Sequence, residues 1–539
     1  MEHLEIILAL LAVIACLAPL ADKIKIPFPV VLVVVGLLIG FIPGIRPLKL
    51  APDVVFLIFL PPLLYQAAVN MSWHDLKKQR KAITFLSVRM VFITMAALAL
   101  VIHYVIPGFS WPLAFVLGAL LSPPDAVAAT AATKGLKIPR KWTAIIEGES
   151  LLNDASALIA YRYALVAVAG GVFVYWMAML NFVLVVSGGI GIGLGIGFCF
   201  SKIQKRLAGN PATEISLTLL VAYVAYLVAE NLHTSGVLAV VTVGLAISWN
   251  SFRIFTFGTR LQMQIFWRVL IFLLNGFVFI LIGLQLPFIL ASIGPAHAWA
   301  MIGYGLLISL TAILIRPLIL IPGYYLALKP RKKPTSEAIR NQLSEAVVVS
   351  WSGMRGVVSL ATALAIPLTL SDGRAFPQRD AILFITFVVI LVTLLVQGLS
   401  FPYIVRKLGV ADREDDRLEE ERQLRAEMIE ASLTYIEEAL SSETDTHIYE
   451  ALRDEYQGRL LYLKGDPNGQ EGLHASKRAH QRQNLEAQLK ILQHQRGHLI
   501  SLHKRGTYND EILHKMEQEL DFWNVRIHAG MQSTQLNIL

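Results

Sequence analysis

The chain has 539 residues, of which 55% are hydrophobic and only 16% charged. That balance is too apolar for a soluble globular protein and points to the bilayer. The formal net charge of +8 does not signal a nucleic-acid partner, because most Lys and Arg of residues 1–407 sit in short connections between apolar runs, where they orient a membrane protein.

The chain opens with Met1-Glu2-His3, with neither a basic stretch nor a small-residue cleavage site, so the first apolar run is expected to be a retained helix. Segments of about 20 apolar residues give about 13 spans. They run over 4–21, 28–43, 51–69, 83–106, 111–133, 142–169, 173–200, 212–230, 234–249, 263–286, 297–327, 344–368 and 380–406. Odd-numbered connections carry Lys23, Lys25; Lys77, Lys78, Arg80, Lys81; Lys134, Lys137, Arg140, Lys141; Lys202, Lys205, Arg206; Arg253, Arg260; and Lys329, Arg331, Lys332, Lys333, Arg340. Even-numbered ones carry only Arg46, Lys49, Arg374 and Arg379. The alternation predicts an outside N-terminus and a cytoplasmic C-terminal tail in a multi-pass protein. Cys16 and Cys199 both lie inside apolar runs, so no disulfide framework or metal site is implied.

Two spans are interrupted. Span 5 contains Ser122-Pro123-Pro124-Asp125, and a proline pair removes helix donors and clashes with the preceding turn. Span 12 contains Gly353-Met354-Arg355-Gly356, helix-weakening glycines beside a charge. Broken helices at matching places in two halves point to a transporter built from inverted repeats. Spans 5 and 12 are seven apart, so two six-span repeats separated by span 7 put both at the fifth position, and the odd offset inverts the repeats. Glycines at 188, 189, 191, 193, 195 and 197 lie inside an apolar helix with no strand before them; close helix packing is expected, not nucleotide binding. The tail, 408–539, reads as helices. Leu424-Met428-Ala431-Tyr435 and Leu485-Leu489-Leu492-Leu499 have helical spacing, and Gly465-Asp466-Pro467-Asn468-Gly469 marks a loop. Eight of the 13 histidines fall in this tail, where solvated helix faces are the expected role.

Charges in the bilayer cost at least about 2.5–3.5 kcal/mol and need a reason. At about 1.5 Å per residue, Asp154 lies about 18 Å into span 6 and Arg355 about 16 Å into span 12 from the same side. Asp125 lies about 20 Å into span 5 from the other side. One polar centre near the midplane is the expectation. Ser150 and Asp154 share a helix face, as do Glu149 and Asn153 beside them. Together they offer carboxylate, hydroxyl and amide oxygens, which suit a small cation, and carbonyls of broken span 5 can complete the shell. An apolar setting favours a neutral, protonated carboxylate, while a bound cation favours the ionised form. One carboxylate serving both in turn suffices for cation–proton exchange. A buried Asp154 paired with Arg162 or Arg355 is the plainer alternative. Glu149 is assigned to a supporting ion pair with Arg355. Asp125 either coordinates the ion or caps the second half-helix of span 5. Glu147, nearer the helix end, either draws cations into an access funnel or is simply solvated.

Three motifs carry a family resemblance: Ser122-Pro-Pro-Asp-Ala-Val-Ala-Ala-Thr130, Glu147-Gly-Glu-Ser-Leu-Leu-Asn-Asp154 and Gly353-Met-Arg-Gly-Val-Val-Ser359. With Tyr223-Val-Ala-Tyr-Leu-Val-Ala-Glu230 and Ser235-Gly-Val-Leu-Ala239, they resemble bacterial sodium/proton antiporters of the monovalent cation:proton antiporter-1 family, with animal sodium/proton exchangers as more distant relatives. The likeness covers most of residues 1–407; a weaker one at Asp510-Glu-Ile-Leu and Glu519-Leu-Asp-Phe-Trp523 is to long-tailed bacterial members. It implies an all-α, 13-helix homodimer of the bacterial plasma membrane, with a dimerisation domain, a mobile core moving as an elevator, and a regulatory cytoplasmic tail. It also implies that Asp154 binds the cation with Ser150 and Asn153, that the main chain at Pro124 adds a carbonyl, and that Glu149 pairs with Arg355. Asn153-Asp154 matches the electroneutral pattern. No cofactor is implied beyond the transported Na⁺, K⁺ or Li⁺ and H⁺. Two positions depart from the family: Gln66 stands where an acid is frequent, and Pro124 where Thr is frequent. A membrane-embedded hydrolase or an ion channel is the alternative reading. No Gly-x-Ser-x-Gly turn near a His and no pore-lining repeat supports either.

Overall fold

The computed structural model describes residues 2–24, 27–42, 52–132, 138–170, 175–207, 209–328, 336–370, 373–408 and 414–440, then shorter stretches of the tail as far as residue 527. Two compact units are present, Met1–Asp412 and Arg413–Leu539. In the first the helices are α1 (Glu2–Ile24), α2 (Phe28–Gly40), α3 (Pro52–Asn70), α4 (Trp73–Thr84), α5 (Val91–Val105), α6 (Trp111–Leu121), α7 (Ala126–Ala132) and α8 (Arg140–Val168). They continue as α9 (Tyr175–Arg206), α10 (Pro211–Asn231), α11 (Gly236–Ile254), α12 (Phe257–Ile293), α13 (Pro295–Leu328), α14 (Ser336–Trp351), α15 (Val357–Leu364) and α16 (Arg379–Lys407). No strand occurs among the described residues; Thr369 and Ala375 form one isolated bridge. Eight of the helical segments there are long and apolar enough to cross a membrane, and four shorter apolar ones accompany them. The architecture is the expected all-α membrane bundle.

Local chemistry fixes the helix starts. Ser72, Asn210, Ser235 and Thr256 each accept a main-chain N–H of the helix they precede, satisfying donors that have no partner inside the helix. The basic group Lys77–Lys81, assigned to a connection by hydropathy, instead lies within α4. That helix runs through a π-helical turn at Phe85–Met90 into α5, forming one rod from Trp73 to Val105. A solvated helical turn ahead of an apolar one satisfies both the charge pattern and the backbone.

Both predicted interruptions are present. Span 5 divides into α6 and α7 around Ser122–Asp125, and span 12 into α14 and α15 around Ser352–Gly356. The glycine-rich segment packs α9 on α11. A Cβ at Gly189 would strike the Ser235 carbonyl and one at Gly193 the Ala239 carbonyl, while Gly191 and Gly195 face open space. That is close helix packing on one stripe. Helix α16 is deeply buried, whereas Leu180, Leu184, Leu194 and Phe198 of α9 are exposed, the surface a lipid-facing helix requires.

In the second unit α17 (Glu414–Tyr435) contains Leu424, Met428 and Ala431 in helical register. Leu492, Leu520 and Ile527 form a small cluster with Leu485 and Leu489. Leu499, the loop 465–469 and the segment 510–513 lie outside the described residues.

Candidate ion-binding site

A helix broken inside a bilayer leaves main-chain groups without partners, and each costs several kcal/mol unless satisfied within the protein. Here the two breaks satisfy each other. The Asp125 N–H donates to the Met354 carbonyl at 2.7 Å. Arg355, fully buried, donates from Nε to the carbonyl of Leu121, the last residue of α6, at 2.8 Å, and from a terminal nitrogen to the Gly353 carbonyl. Its own N–H reaches Thr393 Oγ1 on α16 at 3.2 Å. A cation at the negative end of α6 offsets the half-helix dipole and caps its free carbonyls. The crossing is tight enough that a Cβ on Gly356 would overlap the Asp125 carboxylate.

Around this crossing, α8 brings its polar residues to the start of α7. The Val127 N–H donates to Asp125 Oδ1 at 2.7 Å, and the Ala126 N–H to Ser150 Oγ at 3.1 Å. Asn153 Nδ2 donates to the Pro124 carbonyl at 3.0 Å, which sets the orientation of the amide, since a carbonyl accepts only from the nitrogen. Its Oδ1 is buried without a hydrogen-bond partner. Asn153 thus ties α8 to the break. Asp125 caps α7 and also lines the cavity described next, so both sequence-level roles are compatible.

A cavity of about 190 Å³ reaches this region. Its wall includes Pro124 and Asp125 at the α6–α7 break, Thr130 on α7, Glu147, Ser150 and Asp154 on α8, Gln66 and Asn70 on α3, and Asn275 on α12. Asp154 is only 5% exposed, and among the described residues no hydrogen-bond donor or cation contacts its carboxylate. Glu147 stands two turns nearer the start of α8, on the same cavity wall. Asn70 and Asn275 were not singled out from the sequence, and Thr130 only as the end of a motif, because uncharged polar residues in apolar helices carry no comparable cost signal.

The expected Glu149–Arg355 pair is not formed. Glu149 is held instead by Arg316 of α13, whose two terminal nitrogens donate to Oε1 at 2.5 Å and Oε2 at 2.9 Å, while one of them also donates to the Val349 carbonyl at 3.0 Å. The fork-to-fork geometry suits Arg, and both side chains are 2% exposed. Arg355 is diverted by the carbonyls that the breaks expose. A sequence signal did exist: Arg316 lies 12 residues before the end of α13, about 18 Å at 1.5 Å per residue, the depth counted for Asp154. The other arginine considered for Asp154, Arg162, bonds Glu230.

Relatives point the same way as the geometry. A sequence profile described as "Sodium/hydrogen exchanger, transmembrane" matches residues 8–407. The Na(+)/H(+) antiporter ApNhaP of Aphanothece halophytica is 36% identical over 81% of this chain and 81% of its own length. The sodium, potassium, lithium and rubidium/H(+) antiporter of Bacillus pumilus (strain SAFR-032) is 31% identical over 86% of this chain and 70% of its own. The fold is similar to that of the sodium proton antiporter MjNhaP1 from Methanocaldococcus jannaschii at pH 8, with a TM-score of 0.59 at 21% identity, covering 76% of this chain and 99% of that one. A polar crossing of two broken helices, a cavity lined by the carboxylates of Asp125, Glu147 and Asp154, and these matches place the chain in the sodium/hydrogen exchanger family, among its bacterial monovalent cation:proton antiporters.

Proposed function

We propose that Asp154 is the shared carboxylate of a 1:1, electroneutral exchange of Na⁺, and also K⁺ or Li⁺, for H⁺. The observation that carries this reading is the division of polar atoms around the cavity. Ser150 Oγ, Asp125 Oδ1 and the Pro124 carbonyl each accept a hydrogen bond, whereas the Asp154 carboxylate, buried where Glu147 on the same wall is only half-buried, has no hydrogen-bonding or ionic partner among the described residues. A lone carboxylate in low dielectric needs a proton or a cation. Either neutralises it, both at once are not needed, and mutual exclusion at one site is the coupling. Replacing one proton by one monovalent cation moves no net charge. Asp154, Asp125 and Ser150 would be the principal oxygen ligands; a carbonyl has a second lone pair, so Pro124 can still contribute. Asn153 and the Glu149–Arg316 pair position them.

The cavity wall is divided between α3 and α12 on one side and α7, α8 and α15 on the other. This arrangement supports alternating access of elevator type, with α4–α8 and α13–α16 as a moving core and α1–α3 and α9–α12 as a dimer-forming frame. The Lys and Arg pattern supports an outside N-terminus and a cytoplasmic, regulatory tail in a bacterial plasma membrane. Proteoliposomes with a trapped pH dye test the function. Pulses of Na⁺, K⁺ or Li⁺ are expected to dissipate a preset pH gradient at a rate independent of an imposed membrane potential. A potential-dependent rate would overturn the 1:1 stoichiometry, and no response to any of the three ions would overturn the exchange.

Gln66 gives a narrower prediction. A unit charge about 10 Å away contributes on the order of 1–2 kcal/mol at an effective dielectric constant near 20. Gln66→Glu, which adds a carboxylate to the cavity wall, is expected to lower the apparent KM for Na⁺ by about five- to thirtyfold. An unchanged KM would show that this wall does not act on the ion.

A further inference from the structure

We infer that Arg162 and Glu230 form a latch that holds the far side of the Asp154 site closed, an inference that rests on the alternating-access reading above. Helix α8 passes through two cavities in succession. The first takes Glu147, Ser150, Leu151 and Asp154; the second, of about 70 Å³, takes Ala155, Leu158, Ile159, Tyr161 and Arg162. No α8 residue lines both, and the division falls between Asp154 and Ala155. Asp154, Leu158 and Arg162 follow one another at four-residue steps on one helix face. Arg162 therefore lies about 12 Å from Asp154 along the axis. Leu151 of the first cavity and Ala155 and Val237 of the second belong, with Leu238, to one buried apolar cluster, so the two cavities share an apolar wall.

The pair spans the two groups of helices that must move relative to one another. Arg162 belongs to α8. Glu230 belongs to α10 and is fixed at the turn into α11, where its Oε1 also accepts the Gly236 N–H at 3.3 Å. Gly236 makes room for it, because a Cβ there would meet the Tyr226 ring and Glu230 Oε1. One terminal nitrogen of Arg162 donates to Oε1 at 2.9 Å and to Oε2 at 2.7 Å. Any sliding of α8 along α10 and α11 separates them. The two side chains are 52% and 27% exposed, so water and salt weaken the bond. A latch that opens in every transport cycle needs that modest strength; a pair buried like Glu149–Arg316 would arrest the cycle. Arg162 and Glu230 are thus positioning residues that bias which side of Asp154 is open.

The test uses full-length protein in proteoliposomes, carrying Leu158→Cys with Cys16→Ser and Cys199→Ser. A membrane-impermeant maleimide is applied from the side of the α8 C-terminus. Arg162→Gln and Glu230→Gln are each expected to speed labelling two- to fivefold, the range of an exposed pair. They should also raise the apparent KM for Na⁺ presented at the opposite face. The exchange Arg162→Glu with Glu230→Arg is expected to restore slow labelling, and Arg162→Lys, which keeps the charge on a shorter side chain, to fall between. Should the Gln variants fail to fold, the Lys variant and the charge exchange decide the matter. Wild-type labelling and sided KM in every transporting variant would overturn the latch. Loss of Asp154 dependence in the parent protein would overturn the antiport reading instead, so the two failures are distinguishable.

Discussion

Asp154→Asn is expected to reduce cation-driven proton movement to the level of protein-free liposomes while leaving folded yield near wild type. Asparagine keeps the shape and volume of the side chain but can neither hold a titratable proton nor supply a full negative charge. Removing a buried group is costly when it strands a partner. Asp154 has no hydrogen-bonding or ionic partner among the described residues, so the neutral variant strands nothing and relieves an unpaired charge. Asp154→Glu, one methylene longer at the wall of a cavity of about 190 Å³, is expected to retain slow exchange with a raised KM. The dye assay measures transport, and detergent-extracted monodisperse yield measures folding. Wild-type exchange in Asp154→Asn would remove this residue from the mechanism. Collapse of its yield would assign it to the scaffold.

The second large effect falls on stability. Breaking a buried ion pair by removing one side costs about 3–5 kcal/mol because the survivor is left charged in a dry site. That is a large share of the roughly 5–15 kcal/mol that holds a typical fold. Glu149 and Arg316 are both 2% exposed and share two hydrogen bonds. Arg316→Ala and Glu149→Ala are each expected to cut folded yield severely and to lower the thermal midpoint of what remains. The double variant Glu149→Leu with Arg316→Met removes both charges and fills similar volume, so it is expected to recover much of the stability. Thermal unfolding in detergent, followed by tryptophan fluorescence, compares the three. If the double variant is no more stable than either single one, the pair does more than neutralise itself. If the single variants match wild type, the buried pair carries no weight.

The same pair marks where sequence reasoning stopped. A carboxylate such as Glu149 in an apolar helix demands a partner by cost alone, and that much was local. Two buried arginines on different helices lie at similar depth: Arg355, which depth counting along the sequence singled out, and Arg316, which it passed over. The choice depended on the carbonyls of Leu121 and Gly353, which become acceptors for Arg355 only once both helices have broken and crossed. Likewise the tie from Asn153 to the Pro124 carbonyl, and the assembly of Gln66, Asn70 and Asn275 on one cavity wall, join residues far apart in the chain.

By itself the sequence determined the features that obey one-dimensional rules. Apolar run length marked an all-α membrane bundle, and Pro123-Pro124 and Gly353 to Gly356 marked the two broken helices. The cost of burying charge singled out Asp154, Glu149 and Arg355. Only the tertiary structure decided which charges neutralise one another, which oxygens stay free, and that Arg162 meets Glu230 across two packed helices. The physical reason is that burial acts on each residue separately, whereas hydrogen bonds and ion pairs select among competing partners by sub-ångström geometry, which exists only after the helices have packed.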